Sequence, residues 1–375
     1  MKLSIERNTL LKAVSHAQSV VERRNTIPIL ANVLIEAEDD KVQFRATDLD
    51  VEIVDRVKAK VDRTGSTTVS AVLLHEIARK LPDGALIELT ADTASSRLTV
   101  EAGRSNFSLA TLPKEDFPIM ASSEYAANFS AKSGDLRRLF DKSRFAISTE
   151  ETRYYLNGVY MHSATFENSK VLRCVATDGH RLAYSSSACE LPSSGKTCIV
   201  PRKCINELKR ILSSFNEING VLTEVDVSSK NIQFNIHGYK LLSKLVEGNY
   251  PDYNKVFPKS LPNNLKVDRL LLKSALQRLS ILSTEQFKGV KFKLSNSLLN
   301  LSTINSQQES GDESIECDYG GDELEIGFNL SYLLETLDVI STQQIAIHLG
   351  GSDSGCLVTA DGDESSKYII MPMRV

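Results

Sequence analysis

The chain has 375 residues, 41% of them hydrophobic, with a formal net charge of -4, so about two or three domains with sizeable cores are expected. That balance excludes a uniformly basic nucleic-acid binder, and six cysteines without a CxxC pair argue against a disulfide scaffold or zinc cluster. No apolar run reaches the roughly 18 residues of a membrane span and no apolar leader follows Met1, so the chain reads as cytosolic with no membrane partner.

Leu3 and Ile5 alternate as a strand, and Leu10, Val14, Ala17 and Val21 then recur at helical spacing. Val33 and Ile35, a turn at Asp39-Asp40, then Val42 and Phe44 predict a hairpin. Leu73, Leu74, Ile77, Ala78 and Leu81 predict a second helix stopped by Pro82-Asp83-Gly84, with strands onward through Phe107 and Leu109. The order then repeats. A helix capped by Asp135 buries Leu136, Leu139, Phe140 and Ile147, and a hairpin near Val159 and Met161 turns at Asn168-Ser169. Pro201 opens the next helix, which buries Ile205, Leu208, Ile211 and Leu212. In the third pass a helix runs from Asp268 through Leu272, Ala275, Leu276 and Leu279, and another carries Leu330, Leu333, Leu334 and Leu337. Between them lies a polar excursion, Asn305 to Glu313.

Short motifs recur with these elements. Ala46-Thr47-Asp48 returns as Ala176-Thr177-Asp178, Phe117-Pro118 as Tyr250-Pro251, and Ser148-Thr149-Glu150 as Ser283-Thr284-Glu285, at offsets near 130 residues. Solenoid periods are about 20–50 residues, so each unit is domain-sized. Proline-rich seams divide the chain into domains 1–120, 128–250 and 251–375. Each is α+β, two helices on antiparallel sheet, and the tandem repetition suggests a ring or arc.

Lys and Arg exceed Asp and Glu by about nine in the six helices and their flanks, which leaves the remaining surface acidic. Basic helices on an acidic body suit a polyanion; ordinary solvated faces would look alike. With helices about 10 Å apart, six on a circle leave an opening of about 9 Å and twelve one of about 28 Å. A DNA duplex is roughly 20 Å across, so a ring around it needs at least two chains.

The shared Thr-Asp of Thr177-Asp178-Gly179-His180-Arg181 reads as a structural turn, leaving His180 and Arg181 as candidates for local binding. Asp48, Asp50 and Glu52 alternate as a divalent-metal site would, which keeps a metal-dependent phosphoesterase as an alternative; a protein-only scaffold is another. Gly195-Lys196-Thr197 is no P-loop, because Glu190 stands where its first glycine is required. No catalytic motif, cofactor or metal set emerges. Arg153-Tyr154-Tyr155-Leu156 reads equally as a base-stacking strip or as core tyrosines. Met371-Pro372-Met373-Arg374 reads equally as an adaptable peptide-binding surface or a terminal edge strand.

These residues carry a resemblance over the whole chain. Pro28-Ile29-Leu30, Asp116-Phe117-Pro118, Arg153-Tyr154-Tyr155-Leu156-Asn157-Gly158, Ala176-Thr177-Asp178-Gly179-His180-Arg181-Leu182, Val200-Pro201-Arg202-Lys203, Pro251-Asp252-Tyr253 and Met371-Pro372-Met373-Arg374 resemble the bacterial DNA polymerase III beta subunit, the beta sliding clamp family. The resemblance implies a non-catalytic, head-to-tail dimeric ring that encircles duplex DNA without reading its sequence. Its implied partners are the DNA polymerase III alpha subunit, other polymerases and a clamp-loader ATPase. It also implies a cleft for polymerase peptides, walled by Tyr155, Leu156, Thr177, Gly179, His180, Arg181, Leu182, Pro251, Val256, Gly355, Ile369, Ile370, Met371, Pro372, Met373 and Arg374. Implied DNA contacts are Arg24, Tyr154 and Tyr155, to which the basic helices add Arg138, Arg202 and Lys203. The subunit seam would set Phe107 and Leu109 against Ile281 and Leu282 of a second copy. Two positions depart from the family: Glu150, where a carboxylate would repel phosphate, and Gly355, which would loosen one cleft wall.

Overall fold

The computed structural model describes residues 1–21, 26–92, 95–121, 124–189, 197–215, 218–284 and 288–374. Arg24, Glu190, Gly195, Lys196 and Glu285 lie outside the described residues. The chain forms two compact units, one from residues 1–135 and 203–245, the other from 136–191, 197–202 and 246–375. The central repeat is thus shared between them. Backbone ladders explain the division: in the first unit Leu242 and Ser243 pair with Glu52 and Val51, and in the second Ile369 and Ile370 pair with Leu182 and Arg181.

The first unit holds a thirteen-stranded antiparallel sheet. Helix α1, Arg7–Val20, starts where Glu6 accepts the Thr9 N–H at 2.9 Å, and it buries Leu10, Ala13, Val14, Ala17 and Val20. Helix α2, Ala71–Lys80, is capped by Ser70 and buries Leu74 and Ala78. Asp39 and Asp40 both take positive φ, 46° and 56°, as a two-residue hairpin turn with the twist of its strands requires.

Helix α3 spans Ser133–Ser143, so Asp135 lies in its first turn rather than at its cap, where its charge still suits the helix dipole. Ile147 is buried beyond the helix, after a short 3-10 turn at Arg144–Ala146. Helix α4 spans Arg202–Ser213, because Pro201 is still paired with Gly158 in the sheet.

The second unit has an eight-stranded and a four-stranded sheet. Its first hairpin turns at Glu167 and Asn168, one residue before the expected place, both with positive φ. Helix α5, Arg269–Leu279, is capped by Asp268, whose Oδ1 accepts the N–H groups of Leu270 and Leu271 at 2.8 and 3.0 Å. Helix α6, Leu330–Val339, is capped by Asn329. The polar excursion is a hairpin: Asn305 Oδ1 accepts from Gln307 and Glu309, and Ser310–Glu316 pairs with Leu298–Ile304. Among the described residues no helix is long and apolar enough to cross a membrane.

Candidate functional site

Antiparallel pairing lines up apolar side chains on one face of the eight-stranded sheet. Val175, Leu182, Tyr184 and Ile369 join Tyr253 in a buried cluster, with Tyr160, Tyr250, Phe257 and Leu357 packed against it. The segment after the last strand of the central repeat crosses this face. Tyr250 stacks on Tyr160 with centroids 4.8 Å apart, and Tyr160 stacks on His162 at 4.7 Å. The Tyr253 hydroxyl meets His162 Nε2 at 3.1 Å and Arg173 Nη1 at 3.3 Å. Burial, then the Arg173 charge, hold the His162 imidazole below its ordinary pKa. The sequence reading missed this ladder; alternation of Tyr160 and His162 along the strand Gly158–Phe166 was its signal.

The predicted cleft residues divide between floor and rim. Leu156, Leu182, Ile369 and Ile370 are buried and form an apolar floor beneath the exposed candidates. Gly179, His180, Pro251, Val256, Met371, Met373 and Arg374 are exposed, with Tyr155 and Pro372 half-buried beside them. Backbone bonds hold the terminal segment on the rim: Met371 N–H donates to His180 O at 2.8 Å, and Met373 N–H to Gly327 O at 2.9 Å. Gly355 does not loosen the wall. A Cβ there would lie 3.0 Å from Met371 Sδ, so the methionine already occupies the space.

The Thr177–Arg181 turn is braced from within. Thr177 Oγ1 donates to Arg181 O at 2.6 Å and accepts the Gly179 N–H at 3.1 Å, while Asp178 Oδ1 accepts from His180 and Arg181. Gly179 has φ +91°, a conformation that favours glycine, and a Cβ would sit 2.5 Å from Arg153 Nη1, the movable end of a long side chain; Leu49 takes φ +78° at the matching place in the first unit. Arg181 is 8% exposed and binds Asp178, Glu335 and the Phe145 carbonyl. It positions the turn; of the two candidates for ligand contact, His180 alone is exposed, its ring lying over Tyr332.

Many helix cations are likewise engaged within their own unit. Arg138 donates to Ser185 Oγ, Ser365 Oγ and the Ser186 carbonyl, which anchors α3 to the sheet. Lys203 pairs with Asp48, Lys142 with Asp363, Lys273 with Asp338, and Arg278 with both oxygens of Glu313. The helix charge excess read from sequence therefore overstates the free positive surface. Arg202 is exposed and donates to the Ile147 carbonyl; desolvation, then the Arg144 and Arg181 charges, depress its pKa. Tyr154 is 54% exposed and meets Tyr155 edge-on. Glu150 accepts Arg153 Nε and Nη2 at 2.8 and 2.5 Å, so its charge is matched before any phosphate approaches.

Asp48, Asp50 and Glu52 do not converge on a metal. Asp48 caps its own turn and pairs with Lys203, Asp50 pairs with Lys244, and Glu52 is buried against Arg45. The seam candidates lie on two sheet edges. In Ser105–Leu112 only Thr111 and Leu112 pair with the strand on the far side, so among the described residues the edge from Ser105 to Ala110, with Phe107 and Leu109, is open. Ser310–Glu316 is the outer strand of the four-stranded sheet. Leu282 packs on its Gly311, and Ile281 is 81% exposed.

Comparison with known proteins matches this geometry to one family. Residues 1–121, 131–252 and 254–374 match the N-terminal, central and C-terminal domains of the DNA polymerase III beta subunit. A beta sliding clamp of Caulobacter vibrioides is 43% identical, with both chains covered in full. The structure of the Pseudomonas aeruginosa sliding clamp bound to griselimycin matches with TM-score 0.93 at 40% identity, and that from Bartonella birtlesii bound to griselimycin with 0.95 at 38%, each covering both chains fully. The chain belongs to the DNA polymerase III beta subunit family, the beta sliding clamps, whose fold sets three similar α+β domains in tandem.

Proposed function

We propose that this chain is a cytoplasmic processivity clamp without catalysis of its own. Two copies close head to tail into a ring of six domains, three per chain over residues 1–120, 128–250 and 251–375. The open edge at Ser105–Ala110 and the outer strand Ser310–Glu316 supply unpaired backbone for the seam, with Phe107, Leu109, Ile281 and Leu282 adding apolar contact. Duplex DNA threads the ring and meets Arg202, Tyr154 and the polar face of α4, where Asn206, Lys209, Arg210, Ser213 and Ser214 line a shallow depression. Such contacts neutralise phosphates without reading bases, so the ring slides. Loading falls to a separate ATPase.

The alpha subunit of DNA polymerase III and other polymerases dock short peptides in the groove of the second unit. The observation that carries this is a buried apolar floor, Leu182 and Ile369, beside the exposed Met371, Met373 and Val256. Methionines adapt to varied apolar side chains, and an extended segment supplies them at alternate positions. Griselimycin, the ligand of the Pseudomonas and Bartonella relatives, is a ready probe. Deleting residues 371–375 should weaken its binding by about 100-fold, roughly the loss of two well-buried apolar contacts. Unchanged affinity would remove the C-terminal wall from the groove.

A further inference from the structure

The first unit repeats the backbone frame of the groove. Thr47 faces Glu52 as Thr177 faces Leu182, and Lys244 N–H donates to Asp50 O at 2.9 Å as Met371 N–H donates to His180 O. In that register Val175, Leu182, Ile369 and Leu357 of the second unit correspond to Arg45, Glu52, Leu242 and Gln233 of the first. Three of the four apolar floor positions are therefore polar or charged.

These polar groups bind one another and the chain that crosses them, although Arg45 Nε is buried without a hydrogen-bond partner. Glu52 is 1% exposed and accepts Arg45 Nη1 at 2.7 Å and the Met120 N–H at 3.1 Å. Gln233 accepts the Tyr125 hydroxyl at 2.7 Å and donates to Asp226 at 3.2 Å. On the rim, Lys244 and Asp50 form an ion pair where Met371 and His180 stand in the second unit. An apolar side chain entering here would strip these partners and replace none of them.

We infer that Arg45, Glu52 and Gln233 are specificity-determining residues that restrict each chain to a single peptide groove. The network ties the crossing segment to the sheet through Met120 and Tyr125, and it denies an apolar floor to any second peptide. This rests on the groove reading above.

The test counts griselimycin molecules per chain by calorimetry and native mass spectrometry. The unaltered protein should bind one. The variant Arg45→Val, Glu52→Leu, Gln233→Leu, Lys244→Met gives the first unit the second unit's floor and should bind two. A folded variant that still binds one overturns the inference and leaves the groove intact; an unaltered protein that binds none overturns the groove itself. Should the variant fail to fold, crystals of the unaltered protein in saturating griselimycin decide. The position over Glu52 should be empty, and occupancy there would overturn the inference.

Discussion

Arg181 Nη1 meets Glu335 Oε2 at 2.7 Å, while the guanidinium carbon lies 4.4 Å from the ring centre of Tyr332 and 5.2 Å from that of Phe145. One side chain thus ties the Thr177–Arg181 turn to α6 and to the 3-10 turn after α3.

The two partners are not equivalent. Arg181 is buried, so Arg181→Ala leaves Asp178 Oδ2 and the Phe145 carbonyl without their guanidinium partner, and should cost about 3 kcal/mol in urea unfolding. Glu335 is 47% exposed, so screening should hold Glu335→Ala to within about 1 kcal/mol. Equal costs would contradict the assignment of Arg181 as the anchor.

Asp268 gives the pH dependence a sign. The Leu271 N–H first, then Gln343 and the Leu270 N–H, hold its carboxyl below the ordinary value. A depressed folded pKa stabilises the fold above about pH 4 and is lost as pH falls through the lower folded value. Asp268→Asn keeps a capping oxygen without the titration. Its melting temperature should lie below that of the unaltered protein at pH 7, and the gap should close on acidification below about pH 4. A gap constant down to pH 3 would contradict the cap's charge as the cause.

Much of this was legible in sequence because the repeats share one hydrophobic pattern. Alternation and helical spacing located the six α-helices of the described residues, and Asp268 was readable as a helix start. Boundaries shifted where pairing outweighed local signals: Pro201 stays in the sheet with Gly158, and α3 begins at Ser133. The candidate groove was legible as a set of residues but not as layers. Leu182 and Ile369 read as walls because burial depends on strands distant in sequence. The positive helices misled for the same reason. Arg138, Lys142 and Lys203 find acceptors on other elements, and no count along a helix reveals a partner such as Asp363.

The seam makes a prediction of mass. Ile281 is 81% exposed with nothing in its own chain to cover it fully, as an interface residue should be. Ile281→Ala with Leu282→Ala should yield single chains by light scattering, with the far-ultraviolet spectrum unchanged. A persistent dimer would place the seam elsewhere.

The central claim is that closure, not grip, holds this protein on DNA. The direct measurement is retention after loading onto nicked circular duplex, followed by cutting the circle once. Protein should stay on the circle through a high-salt wash and be lost from the linear product through its free ends. Equal retention on circle and line, or release from the circle by salt alone, would contradict the account.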